Sequence, residues 1–292
     1  MKYTRILQLG TIAALCMALA GTTAFADPGH KTRVEAQRET SASAGSVIRV
    51  QPEIRENTVS ESATALPETP VAADEEIAPV IPDQVRTIVI DPGHGGTNAG
   101  AVGVAGIHEK YLTLQIALIV ADRLRAKMPD ANIVLTRQRD AALSLTERIQ
   151  IANNLKADLF VSLHFNSSTN PEAIGYESFW AGDFWAADLE KAGQTIDDET
   201  RAARTHTALL GERMAKCFNH AMHRRFEVLD RGVKPGDYTV LTRAEVPSVV
   251  LELAFLSHAQ EGLSIVSQSV RSKLADAVVD AIQKYANTDY IP

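Results

Sequence analysis

Cysteine is scarce in this 292-residue sequence, which contains two cysteines. Cys16 lies in an apolar stretch near the amino terminus, and Cys217 lies in a downstream segment with helical periodicity. If the amino-terminal segment is removed, a single cysteine remains and no intramolecular disulfide can form. The chain must then be stabilised by an ordinary apolar core, with or without a bound metal. We interpret Cys217 as part of that core rather than as a nucleophile, because no histidine at a strand end pairs with it.

Basic residues are also in the minority. The whole chain has 29 Lys and Arg residues against 36 Asp and Glu residues, and without Lys2 and Arg5 the formal net charge falls from −7 to −9. This balance argues against nucleic-acid binding and against a general electrostatic attraction to anionic polymers. Recognition of a substrate or partner would have to come from a local site.

The apolar stretch near the amino terminus, residues 12–20, is too short and too poorly flanked for a membrane span. It follows Lys2 and Arg5 and precedes Ala24-Phe25-Ala26, which has the A-x-A form of a cleavage site. Residues 1–26 are therefore predicted to be a secretory signal peptide. Cys16 lacks the small-residue context of a lipidated cysteine. We expect an exported protein of the periplasm or extracellular space, without a membrane anchor.

The composition divides the rest of the chain in two. Residues 27–82 are rich in Ala, Ser, Thr, Glu and Pro, with residues 46–54 as the only strand-like patch. Such a segment buries too little apolar surface to offset its ordering entropy, so we predict a disordered spacer. Residues 83–292 alternate between strand and helix patterns. They are predicted to form a single three-layer α/β domain, with a mostly parallel central sheet flanked by helices.

Hydrophobic periodicity gives the expected elements of this domain. Ser144 and Glu147 form the pattern of a capping box, which predicts a helix that runs through Leu155. We expect strands at residues 87–90, 132–135, 159–163, 176–180, 238–241 and 248–253, and further helices at residues 110–128, 205–223 and 269–285. Residues 231–234 are interpreted as a basic loop, which could hold an anionic substrate group or simply be exposed.

The most informative stretch is residues 87–96, Thr-Ile-Val-Ile-Asp-Pro-Gly-His-Gly-Gly. It predicts a buried strand that ends in a tight loop, where glycines leave the ring of His94 uncrowded. A side chain just past a strand end lies where α/β sheets build their sites. A turn with an incidental histidine is the alternative. A phosphate loop is disfavoured, because no Lys-Ser/Thr follows the glycines and the Rossmann glycine spacing is absent.

Four polar residues occupy comparable places. His94 follows the first strand, His164 ends another, Glu252 lies near the end of the last strand, and Glu109 is at the start of a helix. If the strands are parallel, these side chains gather at one edge of the sheet. Each residue alone also has a structural explanation, as part of a turn, a buried histidine or a salt-bridged glutamate. His108, next to Glu109, could compete as a ligand.

Together these residues suit a catalytic zinc. Two imidazoles and a carboxylate are the minimum protein set for zinc with an open position, and a helix amino terminus keeps Glu109 ionised. Zinc lowers the pKa of a water molecule to about 7. A second carboxylate would move the proton, a role typically worth about 10²–10⁴-fold in rate. Glu252 suits that role, since its strand is otherwise Val and Leu.

At this point the sequence resembles a known family, the zinc-dependent N-acetylmuramoyl-L-alanine amidases, which cleave bacterial cell-wall peptidoglycan. The resemblance covers roughly residues 86–285. The matching blocks, in the family's order, are residues 88–96, 109–110, 134–137, 162–166, 231–234 and 251–257. His108, Phe165 and Ala254 depart from the family's usual arginine, small residue and glycine. None of these departures removes a ligand, although they affect the shape of the groove.

The resemblance implies roles for individual residues. His94, Glu109 and His164 match the zinc ligands, and Glu252 matches the catalytic glutamate. Asn166 and Arg231 match positions near the substrate. The implied reaction is hydrolysis of the amide between N-acetylmuramic acid and L-alanine in peptidoglycan, by a monomer that an activator protein could regulate. The alternatives are a zinc peptidase acting on stem peptides and a catalytically silent peptidoglycan-binding domain.

Residues 181–204 are a long connection between a strand and a helix, and such connections are often functional. Apolar residues near its start alternate with Asp183, Asp188 and Glu190, which makes a short amphipathic helix plausible. Some members of the family that act in cell division have a helical insertion here that offers a glutamate to the zinc. By that resemblance the segment could hold the enzyme inactive. The alternative, a wall of the substrate groove with exposed acids, is favoured because the insertion is short.

Overall fold

The computed structural model describes residues 85–287. The predicted signal peptide and the predicted spacer, with its strand-like patch, lie outside these residues. Both stay predictions, as does the domain boundary at residue 83. Within the described range, every helix is too short or too polar to cross a membrane.

The described residues form one six-stranded sheet. Its strands are β1 (Thr87–Pro92), β2 (Asn132–Leu135), β3 (Leu159–Asn166), β4 (Tyr176–Trp180), β5 (Asp230–Pro235) and β6 (Ser248–Phe255). The spatial order is β2-β1-β3-β6-β4-β5. The first four strands in this order are mutually parallel, whereas β4 is antiparallel to β6 and parallel to β5. The predicted mostly parallel α/β sheet is therefore confirmed.

Seven helices are described: α1 (Glu109–Lys127), α2 (Leu145–Leu155), α3 (Phe184–Lys191), α4 (Asp198–His223), α5 (Thr239–Thr242), α6 (Ala259–Ser264) and α7 (Gln268–Tyr285). The predicted capping box opens α2, because the Ser144 hydroxyl accepts from the Glu147 amide at 3.2 Å and the Glu147 carboxylate accepts from the Ser144 amide at 2.7 Å. Helix α1 ends just before Pro129, as the sequence predicts.

Two apolar cores lie on opposite faces of the sheet. The larger core packs one face of β1, β3 and β6 against α1, α4 and α7, and it includes Cys217, which is fully buried as predicted. The smaller core packs Val89, Phe160 and Val250 on the other face against residues of α2, α3 and α5. Helices therefore cover both faces, which confirms the three-layer arrangement.

Three expected elements differ from the structure. Residues 238–241 were expected as a strand, but α5 is a helical turn in which the amides of Leu241 and Thr242 both donate to the carbonyl of Tyr238. Its neighbouring residues Val240 and Leu241 are both buried in the smaller core, which an alternating strand would not achieve. The basic loop at residues 231–234 is instead the edge strand β5, half-buried and paired on one side only.

The third difference concerns α4, which begins at Asp198 rather than at residue 205. Asp197 supplies the start signal, because its carboxylate accepts from the amide of Thr200 at 2.7 Å. The first turns of α4 are largely exposed, so they lack the apolar periodicity on which the expected boundary depended.

Candidate active site

His94 lies in the loop that follows β1, with a left-handed φ of 60° that is uncommon outside glycine. The loop passes directly beneath the ring of His164. A Cβ atom on Gly93 would lie 2.3 Å from Cε1 of that ring, so only glycine fits there. Gly100 is similarly constrained, because a Cβ atom on it would lie 2.6 Å from a carboxylate oxygen of Glu109. The glycines thus let three polar side chains converge.

The convergence produces a His-Glu-His cluster. His94 Nε2 lies 3.0 Å from Glu109 Oε2, and His164 Nδ1 lies 3.1 Å from Glu109 Oε1. One nitrogen of each ring and one oxygen of the carboxylate all lie within 4.8 Å of one another. The structure therefore brings together the three residues that the sequence analysis singled out as metal ligands.

Glu109 is buried at the amino terminus of α1, where its carboxylate accepts from the amides of Ala101 and Phe165, each at 2.9 Å. Burial acts to raise the pKa of Glu109, but hydrogen bonds from His164 and His94 outweigh it and hold this pKa far below its usual range. The carboxylate is therefore ionised at any ordinary pH, which is the form that a metal requires.

The histidines are oriented by neighbours as well. His94 Nδ1 lies 2.9 Å from Oδ1 of Asn98, an arrangement that directs Nε2 towards Glu109, where a metal would bind. Burial acts to lower the pKa of His164, but its hydrogen bond to Glu109 and the charge of Glu252 raise it overall. A metal ion that binds His164 would have to displace the proton that lies between His164 and Glu109 in this hydrogen bond. Two imidazole nitrogens and one ionised carboxylate are a donor set that fits catalytic zinc, so these residues are able to hold it.

Glu252 lies beside the cluster, paired in register with His164 on the neighbouring parallel strand. Its side chain is buried, and Oε2 has no hydrogen-bond partner among the described residues. Burial, together with the charges of Glu109 and Glu177, raises the pKa of Glu252 to about 7, although His164 acts to lower it. A carboxyl group with such a pKa can both accept and donate a proton near neutral pH.

A groove of about 260 Å³ opens onto these groups. The groove is lined by three polar residues of the site, His94, His164 and Glu252. It is also lined by two short segments, residues 143–145 around the start of α2 and residues 238–240 around the start of α5. Leu145 and Tyr238 expose apolar surface. The groove therefore combines apolar side chains with a polar group of acids and imidazoles, as small-molecule and peptide sites commonly do.

Asn166 and Arg231 meet on a carboxylate that the sequence analysis missed. Asn166 Nδ2 donates to Glu177 Oε1 at 2.6 Å, and Arg231 Nε lies 3.5 Å from Glu177 Oε2, which also accepts from Lys234. Glu177 is buried and pairs directly with Glu252 across β4 and β6. The two residues that the resemblance placed near the substrate therefore lie close to Glu252. The only signal in the sequence was that Glu177 is a charged residue within a predicted strand.

The acidic residues of the predicted gating segment lie elsewhere. Asp183 and Glu190 are exposed at the two ends of α3, and Asp188 accepts from the Thr242 hydroxyl at 2.6 Å. Within residues 85–287, neither the His-Glu-His cluster nor the lining of the groove includes any of these three residues. The expected short helix is present, and it packs into the smaller core through Trp185.

His108 is also outside the cluster. It immediately precedes α1, and its ring stacks on Tyr111 with centroids 6.1 Å apart. Within residues 85–287, the group of side chains that could hold a metal ion consists of His94, Glu109 and His164. The structure thus gives no support to His108 as a competing ligand.

Comparison with known proteins identifies the family. The sequence model of the family described as N-acetylmuramoyl-L-alanine amidase matches residues 88–284, about two thirds of the chain. The amidase AmiA of Escherichia coli is 30% identical over 227 residues, which cover 68% of this chain and 76% of AmiA. This chain belongs to the N-acetylmuramoyl-L-alanine amidase family, as the resemblance predicted, and the expected class of enzyme, an amide hydrolase, is confirmed with it.

Solved structures agree in fold. The catalytic domain of CwlV, an N-acetylmuramoyl-L-alanine amidase from Bacillus (Paenibacillus) polymyxa, is 32% identical, with a TM-score of 0.55 over 68% of this chain and 97% of that domain. The CwlD amidase of Clostridioides difficile, solved in complex with the GerS lipoprotein, is 25% identical, with a TM-score of 0.56 over 68% of this chain and 98% of CwlD. The similarity covers nearly all of each solved chain.

Proposed function

We propose that this protein is an exported zinc amidase that hydrolyses the amide bond between N-acetylmuramic acid and L-alanine in peptidoglycan. The observation that carries the proposal is the pairing of a metal-type donor set, His94, Glu109 and His164, with a buried carboxyl group, Glu252, on the adjacent strand. Membership of the amidase family supports the choice of bond.

In this proposal the three clustered residues hold zinc and Glu252 moves the proton. Zinc, when bound, supplies a Lewis acid and lowers the pKa of a water molecule to about 7. Glu252 accepts a proton from the attacking water and delivers it to the amine nitrogen as the carbon–nitrogen bond breaks. Its unpartnered Oε2 and its pKa of about 7 suit both halves of that transfer. Glu109 stays ionised throughout, because two histidines and two amides hold its charge.

Asn166 and Arg231 are proposed to contact the substrate. Their shared partner Glu177 holds them beside Glu252, and Arg231 also lies over the ring of Phe255 at 4.9 Å. An amide and a guanidinium group at this position can donate hydrogen bonds to carbonyl and carboxylate oxygens of a peptide.

Export is proposed from residues 1–26, which have the pattern of a signal peptide, and the proposed location is the periplasm or the extracellular space. An activator protein is proposed as a partner, since the related CwlD amidase was solved with a lipoprotein bound. We further propose that the enzyme acts as a monomer.

Digestion of purified peptidoglycan, followed by mass spectrometry of the products, tests the reaction. We expect free stem peptides that begin with L-alanine, together with glycan strands whose sugar linkages are intact. Cut cross-links without free L-alanine termini would favour the zinc peptidase, and new reducing ends would indicate a glycosidase. Undigested material bound by a zinc-loaded protein would favour the silent binding domain.

Metal analysis tests the site separately. We expect one zinc per chain in the parent and a loss of zinc in the variant His94→Ala with His164→Ala. Full zinc occupancy in that variant would show that the metal is held elsewhere.

A further inference from the structure

The loop that carries His94 is held from beneath by cationic side chains. The carbonyl of Pro92 accepts from Arg137 Nε at 2.9 Å and from Arg148 Nη1 at 2.8 Å, and the carbonyl of His94 accepts from Arg148 Nη2 at 2.6 Å. Arg148 thus directly contacts the backbone of His94, one of the three proposed zinc ligands. It belongs to α2, more than fifty residues further along the chain.

Arg148 is itself fixed in place. Its side chain is 4% exposed, and Nη1 donates to Asp91 Oδ1 at 2.8 Å. Asp91 is 1% exposed and also accepts from the hydroxyls of Thr136 and Ser162, at 2.5 and 2.8 Å. The guanidinium is a planar fork that matches two acceptors at once. Asp91 therefore fixes the guanidinium, and the guanidinium in turn fixes the carbonyls of Pro92 and His94.

The backbone at His94 needs such a support. Its left-handed φ of 60° is unfavourable for any residue with a Cβ atom and persists only where the surroundings impose it. Asn98 contacts the ring of His94 at Nδ1, and its backbone pairs with that of the neighbouring Gly95. Arg148 is the side chain that holds the carbonyl of His94, so it helps to set the backbone conformation from which the ring projects.

We propose that Arg148, with Asp91 as its counter-ion, is a positioning residue of the metal site: it holds His94 in the left-handed conformation that brings Nε2 to Glu109. The inference rests on the proposed function, because it concerns the affinity of that site for zinc. Outer-shell partners of metal ligands typically contribute about 10–100-fold in metal affinity. We expect an effect of this size from Arg148.

Two variants and one control test the proposal. Arg148→Lys keeps the charge beside Asp91 but cannot reach both carbonyls with one ammonium group. The double variant Asp91→Asn with Arg148→Met removes both buried charges together, which avoids leaving either of them unpaired. The control is Arg213→Met, since Arg213 is a buried arginine that donates to the carbonyls of Tyr285 and Asn287, away from the site.

For each protein three quantities are measured: the zinc dissociation constant by chelator competition, the visible absorption spectrum of the cobalt-substituted form, and the thermal unfolding of the metal-free form. We expect both Arg148 variants to bind zinc about 10–100-fold more weakly than the parent and to show an altered cobalt spectrum. Arg213→Met should lower the unfolding temperature while keeping the parental zinc affinity and spectrum.

A folded Arg148 variant with zinc affinity within about twofold of the parent would overturn the inference, as would an equal loss in Arg213→Met. Failure of both Arg148 variants to fold without metal would also overturn it, because the pair would then be a requirement of the fold. A parent that binds no zinc at all would instead refute the proposed function, so the two failures are distinguishable.

Discussion

The two faces of the sheet are built from the same strands, but only one face is apolar along the whole length of β1, β3 and β6. On the face of the larger core, alternate positions of β1, β3 and β6 are apolar and almost fully buried throughout: Ile88, Ile90, Leu159, Val161, Leu163, Val249, Leu251 and Leu253. On the other face the apolar positions stop midway, after Val89, Phe160 and Val250. The next positions on that face are Asp91, Ser162, His164 and Glu252.

This difference shows how a rigid site can be built with little loss of stability in the rest of the fold. Long helices cover the larger core, whereas the short helix α5 and the start of α2 leave the carboxyl ends of the strands open as a groove. The polar residues on this face are fixed by strand register and by hydrogen bonds such as Ser162 to Asp91. Glu252 is the exception, since one of its oxygens has no partner in the described part of the chain. One face of these strands thus provides most of the stability, and the other face carries the reactive groups.

The substitution Glu252→Gln should sharpen this comparison most. It keeps the size of the side chain but removes the proton carrier, so we expect the rate to fall by about 10²-fold or more. Zinc content and folding should stay close to the parent. The release of L-alanine-terminated peptides from purified peptidoglycan gives the rate. A variant that retains the parental rate would require a structural role for Glu252.

Two substitutions on β3 test the division between the faces. Leu159→Ala, in the larger core, should lower the free energy of unfolding by about 2–5 kcal/mol while leaving the rate at low temperature near the parental value. Ser162→Ala, on the groove face, should lower it by only about 1 kcal/mol but reduce the rate, because Asp91 loses a hydrogen-bond donor. Urea unfolding and peptidoglycan digestion measure the two effects. Equal losses of rate in both variants would contradict the division.

The groove face should also make stability depend on pH. Glu252 has a pKa of about 7 in the fold against 4.5 for an ordinary glutamate, so between these values the folded state binds more protons than the unfolded state. Its contribution therefore destabilises the metal-free protein progressively as the pH rises from about 4.5 through about 7. The total is of the order of 3 kcal/mol, at 1.36 kcal/mol for each pKa unit.

Urea unfolding of the metal-free parent and of Glu252→Gln, at about pH 5 and about pH 8, measures this effect. The variant cannot titrate at position 252, so the difference in unfolding free energy between the two proteins should change by roughly 3 kcal/mol between these conditions. Parallel pH profiles would show that Glu252 titrates normally in the fold.

Sequence analysis anticipated the cluster because its members stand at strand and helix ends, where a short motif carries positional information. His94, Glu109, His164 and Glu252 were all singled out on this basis, although zinc binding and catalysis by them stay predictions. Asp91 and Arg148 were missed, because a polar residue beside a turn or on a helix carries no sign of a partner fifty residues away.

Glu177 was missed for a related reason. Its burial depends on β5, whose polar residues were expected to form a loop. The strand is formed by pairing with β4, a contact distant in sequence that local composition does not encode. Residues 238–241 were likewise expected to form a strand, because Val240 and Leu241 have side chains that also suit a strand. Only the packing of the smaller core decides between a strand and the helical turn α5.

The smallest expected effect concerns α3 and the residue before it, which carry Asp183, Asp188 and Glu190 of the predicted gating segment. Trp185 anchors α3 in the smaller core, and Arg204 of α4 lies over its ring at 5.5 Å. Asp188 is directed to Thr242 rather than to the groove. We therefore predict that the variant Asp183→Ala with Asp188→Ala and Glu190→Ala digests purified peptidoglycan within about twofold of the parental rate.

The same variant should lose only about 1 kcal/mol of stability, from the hydrogen bond between Asp188 and Thr242. The matched control, Asp183→Ala with Glu190→Ala, changes two exposed residues and should leave stability within about 0.5 kcal/mol of the parent. A gate acts by a carboxylate that occupies the metal, so removing the carboxylates would raise the rate several-fold at unchanged zinc content. That rise would show that α3 leaves the smaller core and reaches the groove, so that this side of the sheet would include a mobile element.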